Sequence, residues 1–295
     1  MSAVSGAAPD SYAARTWERQ RVWSQTAGRL KGGIVRARLA ALLLGIVAAA
    51  TAVMAVQLAD VQSAVARTFG FLAAVAAGLT PLVLRGASTE RVSDWTRVRS
   101  AAEGLKSELL EYLAGGTDYT AADAGPRLAE RTRDIDDGLE DLLPLALTVD
   151  PDGKEMPAVH DVTSYVDQRV RDQIDTYYRP KAKAYHVTVV RLRRIGIVLA
   201  AAGVVLAAGA AVGGPDQLAA WVPVVTTVAA SLTAHIAASR YDHQIVEFLR
   251  TARQLERLLD KHAAGTLGDG ELVDACERII SVENQAWLTN WSKSG

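Results

Sequence analysis

The side chains able to do chemistry are few in this chain and poorly spaced for catalysis. Its five histidines, His160, His186, His235, His243 and His262, fall on separate segments, whereas a metal centre needs several ligands that converge from fixed spacings. His160 beside Asp161 has the form of a metal-dependent phosphohydrolase pair, but further His and Asp ligands at suitable positions are missing. The glycines at 265, 268 and 270 lack the Gly-Lys-Ser/Thr ending of a phosphate loop. Asp150 to Gly153 does not continue to the closing glutamate of a calcium loop. No catalytic residue, cofactor or metal is expected, and the chain reads as something other than an enzyme. The single cysteine, Cys276, has no intramolecular disulfide partner, which suits a small buried thiol in a cytoplasmic segment.

One titratable side chain stands apart. His235 is the sole ionisable residue inside a long apolar stretch, about one helical turn before Arg240. Polar groups in hydrocarbon are costly, so an intramembrane histidine is a candidate for function. It either sits near the cytoplasmic end and snorkels or hydrogen-bonds to a neighbouring helix, or it lines a water path or senses pH. Thr226, Thr227, Ser231 and Thr233 on the same stretch, with Thr51 and Thr80 elsewhere, either serve helix packing or face a shared lumen.

The elements that must carry these groups are four uncharged stretches, 39–59, 68–84, 195–215 and 217–239, paired two and two. A helix crosses the hydrocarbon core in roughly 20 apolar residues, and about 17 is the lower limit. Arg38 and Asp60 bound the first stretch, Arg67 and Arg85 the second, Arg194 precedes the third, and Arg240 ends the fourth. Charged residues still make up 22% of the chain and mean hydropathy is only +0.10, so most of the protein must sit in water.

The net charge of −1 conceals an asymmetry. Arg29, Lys31, Arg36 and Arg38 precede the first span; Arg85, Arg91, Arg97 and Arg99 follow the second. Lys181, Lys183, Arg191, Arg193 and Arg194 precede the third, and Arg240, Arg250 and Arg253 follow the fourth. The hairpin connections carry only Asp60, Arg67 and Asp216. The positive-inside rule then puts the N-terminus, the central segment and the C-terminus in the cytoplasm. No cleavable signal peptide is visible, and the first span serves as the anchor. The expected location is the inner (plasma) membrane, crossed several times.

A shift of 155 residues lays the second half on the first: Trp23 falls on Tyr178, Ala27 on Ala182, Arg36 on Arg191, Arg38 on Arg193 and Arg85 on Arg240. The unit helix, span, tight turn, span, helix is therefore repeated. The expected parts are a first hairpin unit at 1–116, a helical linker at 117–161 and a second hairpin unit at 162–295. Val166, Val170, Ile174 and Tyr177 predict a long amphipathic helix leading into the third span, interrupted only by Pro180. Ile245, Phe248, Leu249, Ala252, Leu255, Leu258 and Leu259 predict a stalk packed on one face after the fourth. In the first half the exit helix begins at a Ser88 cap and stops at Gly115 and Gly116. A short helix is expected over Pro126 to Leu143, with a turn-rich linker at Asp150 to Gly153 and a last helix over Glu271 to Trp291. Gly209 with Gly213, and Gly70 with Ala74 and Gly78, are spaced for close helix approach.

At the exit regions the pattern resembles a known family. Arg99, Ala102, Glu103, Leu105, Lys106, Glu108 and Tyr112, closing with Gly115, Gly116 and Tyr119, are similar to the juxtamembrane signature of the SLATT superfamily. These are bacterial two-transmembrane domains, often in tandem and also catalogued as a domain of unknown function. Tyr165, Arg169, Gln173, Tyr177 and Tyr178, then Glu277, Glu283 and Trp287, resemble the partner repeat. The resemblance covers roughly residues 12 to 291. It implies a membrane effector of bacterial conflict systems, encoded beside nucleotide-signal synthases or sensors, which permeabilises the inner membrane when triggered.

The expected fold is an all-α integral membrane protein: four transmembrane helices as two tandem hairpins, with long cytoplasmic stalk helices. The expected function is an oligomeric channel-like or pore-forming effector gated through its cytoplasmic helices. A non-conducting membrane scaffold, whose cytoplasmic bundle binds partner proteins, is the alternative. Expected partners are the lipid bilayer, further copies of the chain, and a cytoplasmic sensor protein or nucleotide signal; nucleic acid is not among them. Four small-residue helices are too narrow to enclose a wide aqueous path, so conduction requires a homo-oligomer.

Overall fold

A computed structural model describes residues 11–59, 62–212 and 220–292, and among these the secondary structure is entirely helical. The long helices follow from the composition. α1, Ser11–Gln57, runs 47 residues without a proline. At 1.5 Å per residue that is about 70 Å, twice what a bilayer core requires. α2 (Ser63–Leu84) contains Pro81, and a short 3₁₀ turn, Arg85–Ala87, separates it from α3 (Thr89–Ala114). Ser88 caps α3 as its sequence predicts, its Oγ accepting the Arg91 N–H at 3.4 Å. Gly115, at φ +71°, ends α3, and Gly116 N–H donates to the Glu111 carbonyl at 2.8 Å. Only a residue without Cβ adopts that left-handed turn cheaply.

The remaining helices are α4 (Ala124–Asp137), α5 (Leu143–Ala146), α6 (Val162–Tyr165), α7 (Arg179–Ala211), α8 (Val222–Ser239), α9 (Tyr241–Ala263) and α10 (Asp269–Ser292). The helix expected over Pro126 to Leu143 starts earlier and breaks at Gly138, and a 3₁₀ turn, Glu140–Leu142, leads into α5. Between α6 and α7 the chain winds as two π-helical segments, Val166–Arg171 and Gln173–Tyr178. The burial pattern gives the reason. Tyr165, Arg169, Ile174, Tyr178 and Ala182 are all buried, at intervals of four or five. Every fourth residue advances about 40° beyond a full turn on an α-helix, so this stripe would spiral away from its partner. The wider π turn keeps it on one face.

The chain forms two compact units, each assembled from segments of both halves. One contains Gly32–Arg91 and Lys183–His243. Here α1 and α2 approach at Gly70, where a Cβ would stand 3.9 Å from that of Ala55. α7 and α8 approach at Gly196, beside Leu232, and at Gly203, beside Val225. The outer faces are apolar and uncovered: Ile197, Val198, Val204 and Val205 are 66–69% exposed, and Phe71 is 68% exposed. Three continuous helical stretches, Ser11–Gln57, Ser63–Ala114 and Val162–Ala211, are long and apolar enough to cross a membrane. The apolar part of α8 within the described residues, Val222–Thr233, is shorter. Gly213, Pro215, Asp216, Asp60 and the start of the fourth expected span lie outside the described residues.

The other unit holds, among the described residues, 11–31, Val92–Ala182 and 244–292. Its core is conventional. Trp23, Trp95, Leu105, Leu109, Leu128, Tyr165, Tyr178, Phe248, Leu255 and Leu272 are all buried. The positions related by the repeat share their burial, Trp23 with Tyr178 and Ala27 with Ala182. The triplet Trp95, Val98, Ala102 on α3 recurs with the same spacing as buried Phe248, Thr251 and Leu255 on α9. Leu249, expected on the stalk's packed face, is instead 39% exposed, while Thr251 is buried. The turn-rich tract is strapped to α1: Arg21 Nε donates to Asp152 Oδ1 at 2.8 Å, Trp17 Nε1 to the Lys154 carbonyl at 2.9 Å, and Arg29 to the Thr148 carbonyl at 2.7 Å.

A buried charged centre at Glu277

Glu277 on α10 is 1% exposed, and its carboxylate is saturated. Arg169 on the first π segment clamps it in parallel, Nε to Oε1 and Nη2 to Oε2, each at 2.8 Å. Tyr165 OH donates to Oε1 at 2.9 Å and Ser107 Oγ, from α3, to Oε2 at 2.9 Å. A carboxylate offers about four acceptor positions, and all are used. The π winding matters here, because it sets Tyr165 and Arg169 on the same face toward α10.

The electrostatics follow from this arrangement. Burial pushes the Glu277 carboxyl up, and the Arg169 charge with the three donors more than reverses that, holding it below the usual carboxylate range. Burial likewise opposes the charge on Arg169, and Glu277 outweighs it, raising the guanidinium above its ordinary value. Lys106 is lowered to about 8, first by burial and then by the Arg169 charge. Glu111 is raised to about 8, first by burial and then by Glu108, Glu277 and Asp274. Ser107 Oγ stands 3.4 Å from Glu111 Oε1. Ser107 Oγ donates toward it, a long contact that favours the ionised carboxyl but is outweighed by burial and the neighbouring carboxylates.

Beside Glu277, the Cys276 thiol is buried and pushed up to about 12, chiefly by burial and then by the Glu277 charge. It is a packing group. Alkylation by iodoacetamide at pH 7.5 is expected to be roughly 1,000-fold slower in the native protein than in denaturant, the ratio of thiolate populations. Rapid native labelling would show that α10 opens.

The signature residues divide into those brought to this centre and those set elsewhere. Glu103 pairs with Arg99 at 2.8 Å one turn from Ser107, and Lys106 sits in the field of Arg169, Glu103 and Glu277. Glu108 accepts a hydrogen bond from Tyr119 OH and lies 3.6 Å from Arg131, which also pairs with Asp118 at 2.8 Å. Tyr112 stacks edge-on against Tyr119, with ring centroids 5.6 Å apart. Tyr178 packs on Phe248 at 6.0 Å. Glu283 and Trp287 belong to α10, and their side chains lie outside the described residues. So does the side chain of His235 on α8.

Thr226 and Ser231 are also on α8. Thr226 Oγ1 donates to the Val222 carbonyl at 2.9 Å, and Thr51, Thr80 and Thr233 bond back to their own helices in the same way. Such bonds satisfy a hydroxyl without a partner helix. Asp161, singled out beside His160, is a helix cap: its Oδ1 accepts the Ser164 N–H at 2.7 Å, and Ser164 Oγ accepts the Asp161 N–H at 3.1 Å. Ser107 and Arg131 went unrecognised in the sequence, where one serine in a polar helix and one arginine in a charged helix carry no distinguishing signal.

Two families match the chain, one in each half. Residues 165–287 match the SMODS and SLOG-associating 2TM effector domain 1, and residues 21–125 match a protein family of unknown function, DUF4231. No curated protein and no solved structure matches. The first match begins at Tyr165 and contains Arg169 and Glu277; the second contains Glu103, Lys106 and Ser107, so the centre draws on both. Residues 165–287 are therefore homologous to the SMODS and SLOG-associating 2TM effector domain 1 and residues 21–125 to DUF4231, both of them linked to the SLATT superfamily.

Proposed function

We propose that this protein is an effector with four spans in two tandem hairpins, which assembles as a homo-oligomer and permeabilises the inner membrane when a cytoplasmic sensor protein or nucleotide signal engages its polar helices. The apolar outer faces of α1, α2 and α7 carry the reading, because side chains such as Phe71 and Ile197 are uncovered over helices of spanning length and water does not tolerate so large an apolar surface. The family description, a 2TM effector associated with SMODS and SLOG, supports the effector role and a signalling partner. The matches at 21–125 and 165–287 support a division into two hairpin units, at 1–116 and 162–295, joined by 117–161. The arginines flanking the spans favour cytoplasmic termini. The chain acts by assembly rather than catalysis.

Purified protein in liposomes, with and without cell extract, tests this. Release of an encapsulated ion or dye in the presence of extract is the expected result, with mass in mild detergent or nanodiscs corresponding to several chains. His235→Ala then asks whether the one titratable group in the fourth span gates the flux. A monomer that releases nothing under either condition would leave the hairpins as anchors for a partner-binding bundle.

A further inference from the structure

The segment between α3 and α6 climbs α1, turns, and comes back down. On the way up, Gly125 lies against the Tyr12 ring, Thr132 Oγ1 is 3.1 Å from Thr16 Oγ1, and Asp136 pairs with Arg19 and accepts the Trp23 Nε1–H at 3.1 Å. On the way down, Arg29 donates to the Thr148 carbonyl at 2.7 Å, Arg21 to Asp152 at 2.8 Å and Trp17 to the Lys154 carbonyl at 2.9 Å. The apex is the stretch between, from Gly138 to Thr148. Arg97 clips it to α3, donating to the Gly138 carbonyl at 2.9 Å and to both oxygens of Asp141 at 2.6 and 2.7 Å.

At this apex the leucines divide. Leu139 and Leu142 are buried and fasten the turn to its own unit. Leu143, Leu145 and Leu147 are 50%, 37% and 82% exposed, with Pro144 exposed between them. An uncovered apolar cluster in a segment otherwise strapped down by polar contacts marks a surface for contact. Arg29 and Arg97 stand around it against Glu140 and Asp141, so no net charge recruits a strongly acidic or basic protein segment.

Position along α1 selects the occupant. The helix is unbroken from Arg29 to Leu39, where the first apolar stretch begins, a rise of about 15 Å. The headgroup layer fills about 5–8 Å of that distance. The rest, about 7–10 Å, is matched by one helical turn the length of Leu143–Leu147. Leucines on one side of a short turn, with arginines beside them, are the composition that enters a bilayer interface. Continuity along α1 therefore favours lipid over a separate protein.

We propose that the Leu143–Leu147 turn is a membrane-interface contact, its three exposed leucines seated in the headgroup layer of the leaflet that α1 enters at Leu39. The contact rests on α1 crossing the bilayer and does not depend on the permeabilising role.

The test is quenching of a bimane probe by headgroup-spin-labelled phosphatidylcholine, with the full-length protein in nanodiscs of phosphatidylcholine and phosphatidylglycerol. The probe is placed in turn at Leu143→Cys, Leu145→Cys and Leu147→Cys; the native Cys276 is buried and slow to label. Ala122→Cys, exposed just before α4, is the reference far from the apex, and Val198→Cys, 66% exposed on α7, reports insertion of the spans. Quenching at the three leucine positions is expected to exceed that at Ala122 at least twofold, with unchanged helical circular dichroism. Leucine probes quenched no more than Ala122, while Val198 is quenched, overturn the contact and leave the membrane reading standing. Probes that are shielded from water yet unquenched show that a second copy or a partner protein covers the turn, and overturn it as well. An unquenched Val198 removes the membrane reading and the contact with it.

Discussion

Replacing Glu277 with alanine is expected to lower the unfolding free energy by about 3–5 kcal/mol, the usual consequence of stranding one partner of a buried ion pair. Arg169 would keep its charge at 3% exposure with both committed nitrogens released, and Tyr165 OH and Ser107 Oγ would lose their acceptor as well. The thermal midpoint in detergent should fall by roughly 6–15 °C. The double variant Arg169→Met, Glu277→Leu separates the clamp's net worth from the penalty of breaking it. Removing both charges should recover most of the loss, because desolvation of the two ions offsets much of their attraction. A double variant as unstable as Glu277→Ala would show that the pair is net stabilising by several kcal/mol.

The second large effect is a dependence on pH with a minimum near pH 8. Glu111 is protonated at neutrality in the folded chain, and its carboxyl, raised to about 8, faces Glu108 on its own helix and Asp274 and Glu277 on α10. The unfolded carboxyl titrates near 4.5. Between those values the folded state binds more protons than the unfolded state, so stability falls as pH rises from about 4.5 to 8. Lys106 has the opposite sense. Its folded value of about 8 lies below the unfolded 10.5, so the unfolded state binds more protons across that interval and stability rises with pH there. Glu111→Gln should abolish the descending limb and stabilise the protein at pH 8 by about 2–3 kcal/mol, discounted for partial solvent access. Denaturation midpoints from pH 5 to 10 on both proteins check the sign. A wild-type profile flat between pH 5 and 8 would mean that Glu111 ionises normally against α10.

The same groups bear on how a signal could reach the helices. Glu111, Ser107 and Glu277 form a chain of hydrogen bonds between α3 and α10, and Arg169 extends it to the π segment. Any ligand or partner that changes the charge at one point alters the proton preference at the next, because these groups share a poorly solvated setting.

What was legible in the sequence was local. The apolar stretches announced helices of spanning length because the bilayer demands an uncharged run of fixed length, and that demand is met by consecutive residues. The Ser88 cap and the Gly115 stop were readable for the same reason, since each depends on one residue's own backbone preferences. The repeat was visible because aromatic and basic landmarks such as Trp23 and Tyr178, Arg36 and Arg191 fall in register, and the structure buries Trp23 with Tyr178 and Ala27 with Ala182 alike. The apolar stripe of α9 matches the observed burial at Phe248, Ala252 and Leu255 but not at Leu249, where only the position of neighbouring helices decides which flank of a broad apolar face is covered.

Only the tertiary structure decided the charged centre. The family resemblance singles out Arg169 and Glu277 but does not pair them: they are 108 residues apart, and the local pattern around each does not distinguish a charge that will be buried from one that will snorkel into water. Ser107 acquires meaning only through its distance to two carboxylates on different helices. The π winding was equally hidden: its residues have ordinary helical propensity, and the wider turn is imposed by the need to keep Tyr165, Arg169, Ile174 and Tyr178 against one partner surface. Hydrophobic pattern is a property of neighbours along the chain and so survives in the sequence, while the pairing of buried charges depends on which distant surfaces meet, and packing alone determines that.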